Sequence, residues 1–154
     1  MKKTYKIYRM ENRKINDEVL KFYLPEEGVP SKIALKRKAG RLLELHDLKK
    51  KGYVITAEIL VNREDYLNTR LNVAVADYCK LDNEERQMKT LSSYWVHKLT
   101  NKSLCADLEP IVESKRVCLK RIVSLVRRLN NEDLDIRNEV AIMLYDQYVR
   151  DICR

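Results

Sequence analysis

Glycine and proline are scarce, with three of each in 154 residues. So few chain breakers argue against a loop-rich all-β fold and for long helices. Gly28, Gly40 and Gly52 stand 12 residues apart. Phosphate-cradling loops need closely spaced glycines, so that backbone N–H groups can approach the ligand. Neither a P-loop nor a dinucleotide fingerprint is therefore present. The four cysteines, Cys79, Cys105, Cys118 and Cys153, form no CxxC pair and match no zinc spacing. They read as reduced, mostly buried thiols, with no structural metal, no disulfide and no cofactor. There are two histidines and no HExxH. His46, followed by Asp47, reads as a half-buried helix residue, and His97 near Trp95 as packing. A general base would need a positioned partner and a pocket as well. No apolar run is long enough to span a membrane, and no apolar stretch follows the start Met1-Lys2-Lys3-Thr4-Tyr5-Lys6. The expectation is a soluble, intracellular, non-enzymatic protein of the cytoplasm or nucleus, without membrane contact.

Positive charge, by contrast, is abundant and unevenly placed. The net charge is +8. Residues 1–52 hold 15 Lys/Arg against 7 Asp/Glu, residues 53–108 hold 7 against 8, and residues 109–154 hold 9 against 8. The excess belongs to the first third, an asymmetry that points to a polyanionic partner, nucleic acid above all. The acidic pairs Glu64-Asp65, Glu84-Glu85 and Glu132-Asp133 each fall at an expected helix start. The helix dipole accounts for them there without catalysis.

Periodicity supplies the elements. Thr4–Met10 alternates as a short strand, with Tyr5 and Ile7 on one side and Lys6, Tyr8 and Met10 on the other. Asn16 reads as a cap before a helix carrying Val19, Leu20, Phe22 and Tyr23 that ends before Pro25. A loop, 25–30, follows, and Ser31 caps the next helix. Across 32–51 the apolar residues keep two phases: Leu35, Ala39, Leu42, Leu43 and His46 share one face, Ala34, Leu45 and Leu48 another. Either one helix is buried on two sides or the chain breaks near Gly40. Lys49-Lys50-Lys51-Gly52 is a stop signal, with cations at the negative end of the dipole and a glycine for the left-handed position. Tyr53–Val61 fits a strand or the start of a long helix, and its β-branched residues favour the strand.

A helix from Asn62 to about Lys80 is expected next, then one capped by Asp82 or Asn83 with Met88, Leu91, Trp95, Val96 and Leu99. Ser103–Asp107 reads as a short helical turn. The C-terminal part reads as an antiparallel helical hairpin. Its first helix starts at Pro110 and buries Ile111, Cys118, Leu119, Ile122, Leu125, Val126 and Leu129. The second starts at Asn131 or Glu132. Its main stripe is Leu134, Ala141, Tyr145, Tyr148 and Ile152, and a second apolar strip is Ile136, Val140 and Met143. That second strip calls for another partner, from the rest of the chain or from a second copy in a homodimer.

The segment 31–61 has the order helix with Ile33-Ala34, turn at Ala39-Gly40, helix Arg41–Lys51 with Leu42, Leu45 and Leu48, then Gly52-Tyr53-Val54 entering a strand. Over these thirty or so residues it resembles a winged helix-turn-helix. The resemblance implies that Lys36, Arg37, Lys38 and Arg41, with Lys32 beside them, meet phosphates and base edges from the turn and the recognition helix. The plainer alternative is that these are solvated charges on an ordinary helix. Lys2, Lys3, Lys6 and Arg9, interleaved with Tyr5 and Tyr8, would extend the footprint or guard a sheet edge. Arg116, Lys120 and Arg127 form a secondary basic stripe opposite the core face of their helix.

The fold expected is mainly α (α+β) and a single domain: five to six helices with a small two-stranded sheet. Residues 1–61 make a basic helix-turn-helix-like part and 62–154 a helical bundle. The function expected is a small nucleic-acid-binding regulatory protein. The alternative is a helical protein–protein interaction module, an adaptor or inhibitor whose basic face meets an acidic protein surface.

Overall fold

The computed structural model describes residues 4–25, 31–95 and 101–153. The expected loop at 26–30, Lys2, Lys3 and His97 lie outside them, as do the side chains of 91–107, Trp95 and Cys105 among them. The protein is mainly helical with a small antiparallel sheet, in the order β1 (Tyr5–Asn12), β2 (Asp17–Tyr23), α1 (Ser31–Lys50), β3 (Val54–Val61), α2 (Arg63–Trp95), α3 (Asn101–Asn131) and α4 (Glu139–Ile152). It divides into two compact units, Met1–Tyr66 and Leu67–Arg154.

The first unit holds a three-stranded sheet of order β2-β1-β3, not the two-stranded sheet expected. Asp17–Tyr23 is a strand, not a helix. Asn16 takes a left-handed φ of 51° in the β1–β2 turn instead of capping a helix. Asparagine suits both places, and Val19, Phe22 and Tyr23 tip the segment toward β. The expected partnership of β1 with β3 is present, antiparallel, from Tyr5 opposite Val61 to Glu11 opposite Val54. The register slips where Arg9 faces Ala57 but Met10 faces Ile55, leaving Thr56 as an extra residue in β3. The buried positions of β1 change phase there, from Tyr5 and Ile7 to Met10 and Asn12. Met10 is thus fully buried rather than on the side of Lys6 and Tyr8, because a bulge interrupts strict alternation. Tyr66, in the first turns of α2, stacks on Tyr5 at 4.6 Å and meets Phe22 edge-on at 5.7 Å.

Helix α1 runs unbroken through Gly40. There is no turn at Ala39-Gly40, and β3 pairs with β1 instead of with a returning wing strand. The winged helix-turn-helix order is therefore not what the chain forms. One glycine costs a helix only about 1 kcal/mol relative to alanine, and the surrounding Lys, Leu, Arg, Glu and Ala are good helix formers. Nor is α1 buried on two sides: none of its residues is fully buried. Ala34, Arg41, Glu44, Leu45 and Leu48 are half-covered, and Leu35, Ala39, Leu42, Leu43 and His46 are exposed.

The expected stop at Gly52 is present. Tyr53 N–H donates to the Leu48 carbonyl and Gly52 N–H to that of Lys49, the paired bonds of a left-handed helix terminus. Gly52 has a φ of 100°. A Cβ there would lie 3.2 Å from Asn12 Nδ2, which itself donates to the Lys51 carbonyl at 3.0 Å. Two constraints, backbone and space, thus ask for glycine.

The second unit is built on three helices. Helix α2 starts beside Asn62, close to where a helix is expected, and the Asn62 side chain caps it, accepting from Asp65 N–H at 2.8 Å. Helix α2 then continues past Asp82 and Asn83 without a break. Asp82 and Glu85, read as part of a new helix start, serve instead as ion-pair partners for Lys115 of α3. Helix α3 likewise absorbs the expected turn at 103–107 and carries Pro110 in its interior, where one backbone bond is lost. Most of the expected core stripe is there: Cys118, Ile122, Leu125, Val126 and Leu129 are buried, while Ile111 and Leu119 are only half-buried, and Val123 and Leu67, Leu71, Ala74 and Val75 of α2 are buried as well. Four long or medium helices among the described residues replace the five to six expected.

The last connection is longer than expected. Asp133, read as a first-turn acid, instead adopts a φ of 53° and ends α3, with Leu134 N–H donating to the Leu129 carbonyl. Helix α4 starts at Glu139, capped by Asn138, which accepts from Ala141 N–H at 3.1 Å. The intervening loop is held by the buried Asn68: its Nδ2 donates to the Asp135 carbonyl at 2.8 Å and its Oδ1 accepts from Arg137 N–H at 3.0 Å. Of the expected α4 stripe, Ala141 is buried, Tyr145 and Tyr148 are half-buried, and Ile152 is exposed. In the second strip Val140 and Met143 are exposed.

Candidate nucleic-acid interface

Two basic surfaces stand out, one in each unit. The first is α1. Residues 31–52 carry eight Lys/Arg and two acidic residues. Lys32, Lys36, Arg37 and Lys38 are all exposed. Successive helix residues turn by about 100°, so the run Lys36-Arg37-Lys38 fans around the axis instead of forming one flat patch. Lys32 and Lys36 stand one turn apart on the same side. Arg37 and Arg41 line a groove of about 270 Å³ with Gly40, Glu44, Phe22, Tyr23 and Leu24.

Arg41 differs from its neighbours. It is half-buried, with its guanidinium 5.8 Å from the centre of the Tyr23 ring. Glu44 next to it accepts from Tyr23 Oη at 3.3 Å and pairs with Lys21 Nζ at 2.7 Å. Burial, reinforced by the Glu44 carboxylate, pushes the Tyr23 phenol well above its usual range, so it stays protonated and donating. Glu44 and Arg41 thus fasten α1 to β2, and Lys32, Lys36, Arg37 and Lys38 are left for solvent or a partner.

The second surface is on α3 and α4. Lys120, Ser124, Arg127 and Asn131 recur at spacings of four, three and four, which places them along one stripe of α3. With Val123, Arg128 and Tyr148 of α4 they line an open groove of about 400 Å³. Three cations and no carboxylate line it. Among the described residues, none of Lys120, Arg127 and Arg128 stands in an ion pair. Arg116, from the same sequence stripe, is not part of the groove and pairs instead with Glu113 at 3.3 Å. Arg128, Ser124, Asn131 and Tyr148 are additions that sequence reasoning missed. The spacing 120, 124, 127, 131 carries a signal for two of them, whereas Tyr148 arrives only through the packing of α4.

A third charged cluster is structural. Lys115 Nζ reaches Asp82 Oδ1 at 2.6 Å and Glu85 Oε2 at 2.9 Å, and lies 5.3 Å from the Tyr78 ring centre. Burial alone would lower the Lys115 pKa, but the bonds to Asp82 and Glu85 outweigh it and raise the pKa. The same bond from Lys115, helped by Lys89, pulls Glu85 down to about 2. Cys118 is buried, and that burial pushes its thiol upward, away from the reactive thiolate. Cys79 and Cys153 are exposed and free. His46 is exposed on α1 rather than half-buried. Among the described residues, no three His, Cys, Asp or Glu side chains are grouped to hold a metal ion, and no helix is long and apolar enough to cross a membrane.

No family model, curated protein or solved structure significantly matches this chain.

Proposed function

We propose that the protein is a small, non-enzymatic nucleic-acid-binding regulator that uses the solvent face of α1. The observation that carries this reading is the exposure of Lys32, Lys36, Arg37 and Lys38 on a helix with no fully buried residue. A helix so lightly covered contributes little to a core, whereas exposed cations that stand in no ion pair among the described residues suit phosphates. Because the three consecutive cations fan around the axis, they fit contacts to phosphates on both sides of a groove better than a single bidentate readout. Arg41 is assigned to holding α1 rather than to the partner. The test is a salt-titrated binding curve for generic duplex DNA and RNA, with unmodified protein and with Lys32→Glu/Lys36→Glu/Arg37→Glu/Lys38→Glu. Binding should weaken strongly in the variant, and the slope of log affinity against log salt should shrink by roughly 0.9 per lost duplex phosphate contact. Equal binding by the two proteins refutes the reading.

The alternative, a protein–protein interaction module, gains support from a separate observation. Leu35, Leu42 and Leu43 are 67%, 55% and 65% exposed on the outward side of α1. A partner with an apolar strip rimmed by carboxylates would cover them and meet the lysines. Under that reading the charge-reversed protein loses an acidic polypeptide partner, and no nucleic acid binds at any salt.

A further inference from the structure

We infer that the α3/α4 groove is a second anion site that takes a phosphate-bearing segment of single-stranded nucleic acid. The ligand class follows from the nucleic-acid reading above, but the site is separate from α1 and is tested separately.

The groove is chemically one-sided. Lys120, Arg127 and Arg128 supply charge, Ser124 and Asn131 supply neutral hydrogen-bonding groups, and the lining holds no acidic residue. In the same unit, the outer side of α4 has the opposite bias: Glu139, Asp146 and Asp151 line a surface with Arg150 as its one cation. Unit-wide charge is nearly balanced, so the sorting of cations to one groove and carboxylates to another is local. Two other cations of α3 are paired within the protein, Lys115 with Asp82 and Glu85, and Arg116 with Glu113. The groove cations are left for a ligand from outside.

The floor and wall explain why a nucleotide suits the site better than a bare anion. Val123 is buried at 4% exposure and gives an apolar base. Tyr148 is half-buried on α4, so its body is held by packing while part of the ring remains reachable. An aromatic face beside cations is the arrangement that stacks a base while phosphates are neutralised. A volume of about 400 Å³ accommodates one nucleotide. The stripe from Lys120 to Asn131 spans 11 residue steps, about 16 Å of helix, long enough to follow two to three phosphates of an extended strand.

The experiment is fluorescence anisotropy with a labelled oligothymidine of about ten nucleotides, on the full chain. Four proteins are compared: unmodified, the α1 charge reversal described above, Arg127→Glu/Arg128→Glu, and Tyr148→Leu. Circular dichroism melts establish that each is folded, and Arg127→Gln/Arg128→Gln replaces the charge reversal if that variant melts early. Loss of the groove cations should weaken oligothymidine binding at least about tenfold and flatten the salt slope by roughly 0.7 per lost single-strand contact. Tyr148→Leu should weaken binding by several-fold with the salt slope unchanged, because stacking releases no counterions. The α1 variant should keep the groove-dependent binding, which distinguishes failure of the α1 reading from failure of this one. Unchanged affinity in Arg127→Gln/Arg128→Gln overturns the site. Equal binding of inorganic polyphosphate or polyglutamate, with no effect of Tyr148→Leu, overturns the nucleotide assignment.

Discussion

Helices α1 and α3 are alike in composition and opposite in what they do for the fold. Both are long and basic. In α3 the apolar residues keep one phase and form a buried stripe from Cys118 to Leu129, with cations on the far side. In α1 they keep two phases, of which only one, Ala34, Leu45 and Leu48, finds partial cover, and none is fully buried. The difference is one of arrangement, and it decides whether a helix supports a core or presents a surface. It also predicts which substitutions will be felt.

The largest effect should come from crossing that difference directly. Leu129→Ala removes a fully buried side chain and should cost about 2–5 kcal/mol, whereas Leu43→Ala on the outward side of α1 should stay within about 0.5 kcal/mol. Denaturant midpoints read both, and similar shifts for the two would erase the contrast between the helices.

A smaller loss is expected at Lys115→Met. The pair of carboxylates it neutralises would be left close together and partly buried, a cost of about 1–3 kcal/mol. Acid should reproduce part of this in the unmodified protein. Glu85 is held at about 2, below its ordinary value of about 4.3. Its contribution is therefore full above that ordinary value and is lost as pH falls from there through about 2. Urea titrations at pH 7, 4 and 2.5 should show the gap between Lys115→Met and the unmodified protein closing as acidity rises; a constant gap would make the cluster irrelevant to acid stability.

Next in size is Gly52→Ala, at about 1–2 kcal/mol, since alanine must take a positive φ and push against Asn12. Gly40→Ala, in open space on the same helix, should instead stabilise slightly. Thermal melts of the two variants should move in opposite directions, and movement in the same direction would mean that α1 ends differently. The smallest effect expected is a gain. Asp133 occupies a left-handed position at the end of α3, so Asp133→Gly should add about 0.5–1 kcal/mol. A lower melting temperature would show that the Asp133 side chain has a role beyond ending the helix.

The parts legible in the sequence are those where one signal has one meaning. The stripe of α3, the helix start at Asn62 and the stop at Gly52 belong to this group. Elsewhere one residue type serves two ends. Asn16 begins helices and also turns hairpins, and in this chain it turns one. Glu132-Asp133 resembles a helix start, yet Asp133 closes the helix before it. Asp82 resembles a cap until Lys115, 33 residues away, is seen beside it. Met10 changes side because of a bulge whose extra residue, Thr56, lies 46 positions further on, beyond the reach of local alternation. The interface follows the same rule. Lys120 and Arg127 are visible as a stripe seven residues apart, but Tyr148 joins them through tertiary packing alone, and Arg41 leaves the site because it lies over the Tyr23 ring.

The amide of Asn68 has a consequence for how the chain assembles. Its bonds to Asp135 and Arg137 span 67 and 69 residues. Closing so long a segment carries an entropic cost that must be met before either bond forms. Both bonds therefore wait until the chain between them, α3 included, has returned to the start of α2. A chain truncated before Asp135 would lack both of these bonds, and hydrogen exchange should show the start of α2 opening more readily than in the 154-residue chain.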